Sequence, residues 1–222
     1  MNKSYGQGDA DISGYVEKIC QPEKENLWKK IRQSATDNDI PGIHVGPMDG
    51  QHLEVLVSAM NVNKAVEIGT LVGYSGIRIL RGMKPTSRLY TFEYSELHAE
   101  VARTNFLQAG FASQVELIVG PALSNLNTIN RHGPFDLVFI DADKVNYPNY
   151  FKWAKANLRS GGVLIADNVF AWGSIVTGKA SDPEQKKSVM ALQEFNLLVT
   201  SDYDFATTIL PTAEGLLLAL KK

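Results

Sequence analysis

Five short apolar runs recur along the chain, and each stops at a glycine or an acid before a stretch of helical length. They are Ala65–Ile68, Arg88–Phe92, Val115–Val119, Phe135–Ile140 and Gly162–Ala166, closed by Gly69, Glu93, Gly120, Asp141 and Asp167. Helical stretches lie between them at Tyr74–Gly82, Glu96–Ala109, Pro121–Asn130 (Pro in the first turn) and Tyr147–Leu158. Near-continuous apolar strands alternating with helices predict a parallel sheet covered on both faces. Beyond the fifth strand come a polar loop, Phe170–Ser181, a helix, Asp182–Ser201, and two strands, Tyr203–Ile209 and Gly215–Leu220. Pro211 and Gly215 separate those strands closely enough to predict an antiparallel hairpin. Ahead of the first strand, residues 11–37 and 49–60 read as amphipathic helices, the second capped by Asp49.

Length and composition bound the rest. A chain of 222 residues without repeat or linker is expected to be one domain, 1–222. An apolar fraction of 44% excludes a disordered chain, which cannot offset its ordering entropy. The net charge of −2 leaves no basic excess to neutralise phosphates, so nucleic acid is not an expected partner. Cys20 is the single cysteine, which excludes an internal disulfide and a cysteine zinc site and fits a reducing cytoplasm. Met1–Asp11 lacks the apolar core of a signal peptide, and no window approaches the ~18 apolar residues of a membrane span.

Three motifs carry chemistry. In Glu67-Ile68-Gly69-Thr70-Leu71-Val72-Gly73-Tyr74-Ser75-Gly76 a strand runs through glycines into a helix. Such a turn brings backbone close to a ligand and offers helix N–H donors. No lysine follows the glycines, which excludes a P-loop, and three residues separate Gly69 from Gly73, which breaks the dinucleotide spacing. A tight strand–helix turn without a ligand remains open at this point. Glu93 then ends the second strand, 20 residues after Gly73. That is near the offset at which an acid accepts bonds from ribose hydroxyls, although a solvated strand end would read the same way. Finally, Asp141-Ala142-Asp143-Lys144 and Asp167-Asn168 end two buried strands. If those strands are neighbours, about 4.8 Å apart, Asp141, Asp167 and Asn168 converge. Facing carboxylates repel unless a cation or proton intervenes, and an all-oxygen set suits Mg²⁺, Mn²⁺ or Ca²⁺.

Other residues read as structural. His44, His52, His98 and His132 are scattered, without ligand spacing; Cys20, Trp28 and Trp153 read as packing; Lys179, Lys186 and Lys187 read as solvated charges. Trp172, beside Gly173, is placed to wall a substrate pocket.

Together these residues resemble the cation-dependent, S-adenosylmethionine-dependent O-methyltransferases. The nearest group is the caffeoyl-CoA O-methyltransferases and their bacterial relatives, with catechol O-methyltransferase more distant. The resemblance runs from about Gly42 to the C-terminus on Glu67-x-Gly69, Asp141-Ala-Asp143-Lys144, Asp167-Asn168 and Glu214-Gly215. It implies a Rossmann-like class I methyltransferase fold with a mostly parallel seven-stranded sheet, and N-terminal helices, 1–60, covering the cofactor and acceptor sites. It also implies a homodimer. Glu67, Gly69, Ser75 and Asp141 match contacts to the amino-acid part of S-adenosylmethionine. Glu93 matches the ribose acid, Ala122 the adenine side, and Ile43 and Val45 a segment closing over the cofactor. Asp141, Asp167 and Asn168 match the ligands of a divalent cation, and Lys144 the general base. Pro211 stands where the catechol enzyme grips its substrate with a glutamate, and Glu214 stands for its aspartate, which counts against catecholamine specificity.

The expected reaction is methyl transfer to one hydroxyl of a catechol-type (vicinal-diol) aromatic acceptor, with a divalent cation, Mg²⁺ before Mn²⁺ or Ca²⁺, making that hydroxyl acidic. Two other readings share the strand–Gly–helix–acid order. A nicotinamide-dependent oxidoreductase conflicts with the glycine spacing. A non-catalytic binding protein has no need to hold repelling acids together.

Overall fold

The computed structural model describes residues 10–178 and 180–222; Lys179 and the polar opening stretch lie outside the described residues. In chain order the helices are α1 (Ala10–Cys20), α2 (Asn26–Thr36), α3 (Pro47–Met60), α4 (Tyr74–Gly82), α5 (Glu96–Gln108), α6 (Ala122–Asn125), α7 (Tyr147–Asn157), α8 (Ser174–Thr177) and α9 (Pro183–Ser201). The strands are β1 (Lys64–Ile68), β2 (Arg88–Glu93), β3 (Val115–Val119), β4 (Phe135–Ile140), β5 (Leu158–Ala166), β6 (Phe205–Leu210) and β7 (Leu216–Lys221).

They form one seven-stranded sheet in the order β3-β2-β1-β4-β5-β7-β6. The first five strands in that order run parallel, and β7 is antiparallel to both β5 and β6. The α/β class, the mostly parallel sheet and the C-terminal hairpin are as expected from the sequence.

Alternation along the strands divides the core. Val66, Ile68, Val138, Ile140, Leu164 and Ala166 pack with Tyr147, Phe151 and Phe195 of α7 and α9. Ala65, Leu137, Phe139 and Ile165 pack on the other side with Trp28, Leu53, Ile77 and Phe106 of α2 to α5. Burying each large apolar side chain contributes roughly 1.5–3 kcal/mol, and both faces draw on it.

Local details depart from the sequence expectation where proline or long-range contact intervenes. The helix expected over 11–37 is two helices, broken around Pro22, which lacks the N–H to continue one. Arg78 holds that break. Its guanidinium donates to the Pro22 carbonyl at 2.5 Å and to Glu54 at 3.0 Å, and lies 3.5 Å over the Trp28 ring. Tyr74 donates its hydroxyl to Glu23 at 2.7 Å, and Glu23 also accepts from Arg32 at 2.6 Å. α3 starts at Pro47 with Gly46 at its cap, so Asp49 sits in the first turn instead of capping it. The helix expected over Pro121–Asn130 is α6 followed by a 3₁₀ segment, Leu126–His132, with Pro121 at the cap. The loop after β5 contains a 3₁₀ turn, Ala171–Gly173, and α8. Cys20 is exposed, not packed. Among the described residues no helix is long and apolar enough to cross a membrane.

Candidate active site

The chain winds outward from β1 through β2 to β3, then returns to the far side of β1 with β4 and β5. The direction of winding reverses there, and ligands of open α/β sheets bind at the carboxyl ends of strands beside such a switch. The sheet register lines up the residues that follow. Ile68 pairs with Phe92 and with Ile140, and Ile140 pairs with Ala166. Glu93, Gly69, Asp141 and Asp167 therefore form one row across four adjacent strand ends. Backbone bonds continue into it: Gly69 N–H to Phe92 O at 3.0 Å, Asp141 N–H to Ile68 O at 2.9 Å, and Asp167 N–H to Ile140 O at 3.0 Å.

On the β1–β2 side, Glu67 points into the α4 layer and is wholly buried. Its carboxyl accepts from Ser75 at 2.7 Å and from Thr91 at 2.6 Å. Burial pushes that carboxyl up to about 8, against the pull of the Thr91 and Ser75 bonds and with help from the Asp141 and Glu93 charges. A third hydroxyl, on Thr70, bonds Thr91 closely. Glu93 is held from two directions: Leu71 N–H donates to one oxygen at 2.8 Å and Ser95 N–H to the other at 3.0 Å. His98 Nδ1 lies 3.3 Å from the latter oxygen. Gly69 adopts φ +102°, and its Cα faces the Asp141 carbonyl with no room for a side chain. Ala122 opens α6, half-buried at the end of β3. Of the segment before α3, Val45 is 3% exposed while Ile43 is 71% exposed. The Val45 carbonyl is fixed by Arg32 at 3.1 Å.

On the β4–β5 side, Asp167 is 1% exposed. Its carboxyl is pushed well above the carboxylate range, first by burial and then by the charges of Asp141 and Asp49. Its Oδ1 accepts the Asn168 N–H at 2.7 Å. Asn168 adopts φ +60°, and its Oδ1 is buried without a hydrogen-bond partner. Lys144 Nζ donates to Asp141 Oδ1 at 2.9 Å and to the Tyr147 hydroxyl at 2.7 Å. Burial alone would lower Lys144; Tyr147 and Asp141 outweigh it and hold the ammonium above the ordinary lysine value. Asp143 turns away from this centre and accepts from Tyr150 and from Asn146, each at 2.5 Å. Among the described residues no three His, Cys, Asp or Glu side chains group as a metal site, so an ion at these strand ends needs the Asn168 amide as well.

The structure thus brings Glu67, Gly69, Ser75, Glu93, Asp141, Lys144, Asp167 and Asn168 to the carboxyl ends of β1, β2, β4 and β5. Ile43 is turned outward. Sequence reasoning passed over Thr91 and Tyr147. Thr91 pairs in register with Glu67 on the neighbouring strand, and Tyr147 lies one helical turn past Lys144. Sequence offered a signal for Tyr147, its i+3 spacing, but none for Asp49, which reaches Asp167 only through the fold. His44, expected to be on the surface or satisfied, has a buried Nε2 without partner; burial first, then Arg32, lowers it to about 4.

Comparison with known proteins gives a consistent set. The sequence profile of the O-methyltransferase family matches residues 17–222. A catechol O-methyltransferase of Niastella koreensis is 35% identical over 95% of this chain and 96% of its own. One of Mycobacterium tuberculosis is 47% identical over 62% of this chain; that alignment spans 62% of the relative's own length. The crystal structure of the O-methyltransferase from Bacillus cereus in complex with SAH superposes with a TM-score of 0.87 at 34% identity, covering 95% of this chain and 97% of that one.

Proposed function

The chain belongs to the O-methyltransferase family, and from that premise we propose that it moves a methyl group from S-adenosylmethionine to one hydroxyl of a catechol-type acceptor. S-adenosylmethionine-dependent O-methyl transfer is the activity; the vicinal-diol acceptor, the divalent cation and the role of Lys144 are our reading. The observation that carries it is the buried, unpartnered Asn168 Oδ1 beside two carboxyl groups, Asp141 and Asp167, one of them held above its ordinary range. An orphaned acceptor and two mutually repelling acids suit a hard, oxygen-seeking ion such as Mg²⁺ or Mn²⁺. A cation held by those three side chains would supply acidity to a neighbouring hydroxyl, and Mg²⁺ favours six oxygens, leaving room for both oxygens of a diol.

The chain's own residues do the remaining work. Glu67 offers a buried carboxyl for the ammonium of the donor's amino-acid part, with Ser75 and Thr91 fixing its rotamer. Gly69 gives the donor access to backbone. Glu93, already oriented by two backbone N–H groups, keeps lone pairs for ribose hydroxyls. Ala122 lies on the adenine side, and Ile43 and Val45 belong to the segment that closes over the donor. Methyl transfer from a sulfonium is an in-line displacement in which the oxygen–carbon bond forms as the carbon–sulfur bond breaks and the sulfur keeps the pair. Positioning supplies much of the rate. Lys144 Nζ takes the hydroxyl proton. As it stands Asp141 holds it charged, so it becomes a base only when that carboxylate is neutralised from its other side.

A homodimer and a cytoplasmic setting complete the reading; the free, exposed Cys20 supports a reducing compartment. The test is radiolabelled methyl transfer to a panel of phenols and catechols, with Mg²⁺ or with EDTA. Transfer to vicinal diols that chelator abolishes supports the reading; full transfer in chelator, or none to any diol, overturns it.

A further inference from the structure

We propose that Glu214 is a positioning residue that sets which way the Asn168 amide points, and so presents an oxygen, not an NH₂ group, to the ion site. The inference rests on the cation reading above. An asparagine amide has two ends of similar size and opposite hydrogen-bonding sense. Facing a cation, only one orientation works: Oδ1 attracts and Nδ2 repels. Neither the backbone of Asn168 nor its φ of +60° distinguishes the two, since a half-turn about the terminal torsion exchanges them.

Glu214 does distinguish them. Its Oε2 accepts from Asn168 Nδ2 at 3.1 Å. A carboxylate oxygen accepts and cannot donate, so the NH₂ end is the one drawn to Glu214. Oδ1 is left on the other branch, buried and without a partner. The residue after a strand-end aspartate is thereby oriented by a residue 46 positions away.

That distance is bridged by a rigid connection. Val169 N–H donates to the Gly215 carbonyl at 3.2 Å and Phe170 N–H to the Glu214 carbonyl at 2.9 Å. Gly215 adopts φ +81°, and a Cβ on it would lie 2.7 Å from the Phe170 ring. Glycine at 215 thus lets the β6–β7 turn close against the segment after β5. The turn does more than join two strands: its backbone is stitched to the ion-side segment, and its one acid reaches back to the amide. Partners that orient a ligand in this manner are typically worth roughly ten- to a hundredfold in metal affinity.

The test is Mn²⁺ binding to the full chain, read by loss of the free-ion electron paramagnetic resonance signal, without methyl donor or acceptor. Wild type is expected to bind one ion, and Glu214→Gln to bind at least about tenfold more weakly, because glutamine can satisfy either end of the amide. Asn168→Asp has oxygen on both branches, so orientation ceases to matter. In that background Glu214→Gln is expected not to weaken binding. Equal weakening in both backgrounds would mean that Glu214 acts through its charge alone and overturns the proposal, as would wild-type affinity in Glu214→Gln. Absence of Mn²⁺ binding by wild type would instead remove the ion site itself, and the proposal with it.

Discussion

A Cβ placed on Gly69 would sit 1.9 Å from the carbonyl oxygen of Asp141. The ends of β1 and β4 touch here, backbone to backbone. The contact is possible only because residue 69 has no side chain, and its φ of +102° disfavours any other residue independently. Gly69→Ala is expected to lose about 3 kcal/mol or more of stability, from strain and overpacking together. Urea denaturation checks this; a wild-type midpoint would show that the two strand ends can separate without cost.

Glu67 makes the unliganded protein sensitive to alkali. Its folded value of about 8 lies above the ordinary glutamate value of 4.5. A raised carboxyl costs stability once the unfolded chain ionises while the folded one stays protonated. The penalty therefore grows as pH rises from about 4.5 to about 8 and is complete above that window. Glu67→Gln is expected to flatten this slope and to be the more stable protein at pH 8 by a few kcal/mol, since each tenfold change in proton affinity is worth about 1.4 kcal/mol. Melting temperatures of both proteins between about pH 5 and pH 8.5 decide it, and parallel curves would refute it.

The ribose contact is testable by affinity. Glu93→Gln keeps the side chain's size but removes the charge that accepts from hydroxyls, and charged hydrogen bonds contribute roughly 1.5–3 kcal/mol. S-adenosylhomocysteine should bind at least about tenfold more weakly by calorimetry. Unchanged affinity would move the ribose elsewhere.

For Lys144 the expectation is a split. Lys144→Met should lower kcat by about 10²-fold or more, while S-adenosylhomocysteine binds nearly as before, because of the residues matched to the donor Lys144 bonds only Asp141 and leaves Glu67, Ser75 and Glu93 in place. Wild-type turnover in the variant would take Lys144 out of proton transfer.

Acceptor preference follows from the ion site. A catechol should react much faster than either matched monophenol, and the mono-methylated product should be a poor second substrate, because its ether oxygen is bulkier and a weaker ligand. Initial rates for a diol and its two monohydroxy analogues settle this, and three equal rates would contradict chelation.

What the sequence made legible follows a physical division. Strands buried on both faces announce themselves as continuous apolar runs, and the residue ending each run is visible with them. That is why Glu93, Gly69, Asp141 and Asp167 could be named before their alignment in one row was known. Local backbone chemistry was also written in the chain. Pro22 and Pro47 each carried a signal for the helix break and helix start that the periodicity alone misplaced. What stayed hidden depends on contact between distant residues. No spacing pairs Asn168 with Glu214 or Arg78 with the Pro22 carbonyl. Lys144 shows the same limit in electrostatics. Its identity suggested a base, but its protonation is governed by Tyr147 and Asp141 packed against it, and the direction they impose is upward.

The order of the strands has a consequence for how such a protein can diversify. Most residues proposed to hold the methyl donor hang from β1 and β2, joined by Asp141 after β4, Ala122 after β3 and the Ile43–Val45 segment, whereas those proposed for the ion and acceptor hang from β4, β5 and the β6–β7 turn. The halves meet along one seam, between β1 and β4, with Gly69 at its tip. Changes in the segment after β5, or in the turn that braces it, leave that seam and everything on the donor side untouched. On the proposed site assignment, acceptor scope is the half of the molecule free to change. An engineer seeking new acceptors would have a bounded target in residues 169–178 and 211–213, with Glu214 kept for the Asn168 amide and β1 and β2 as a fixed chassis.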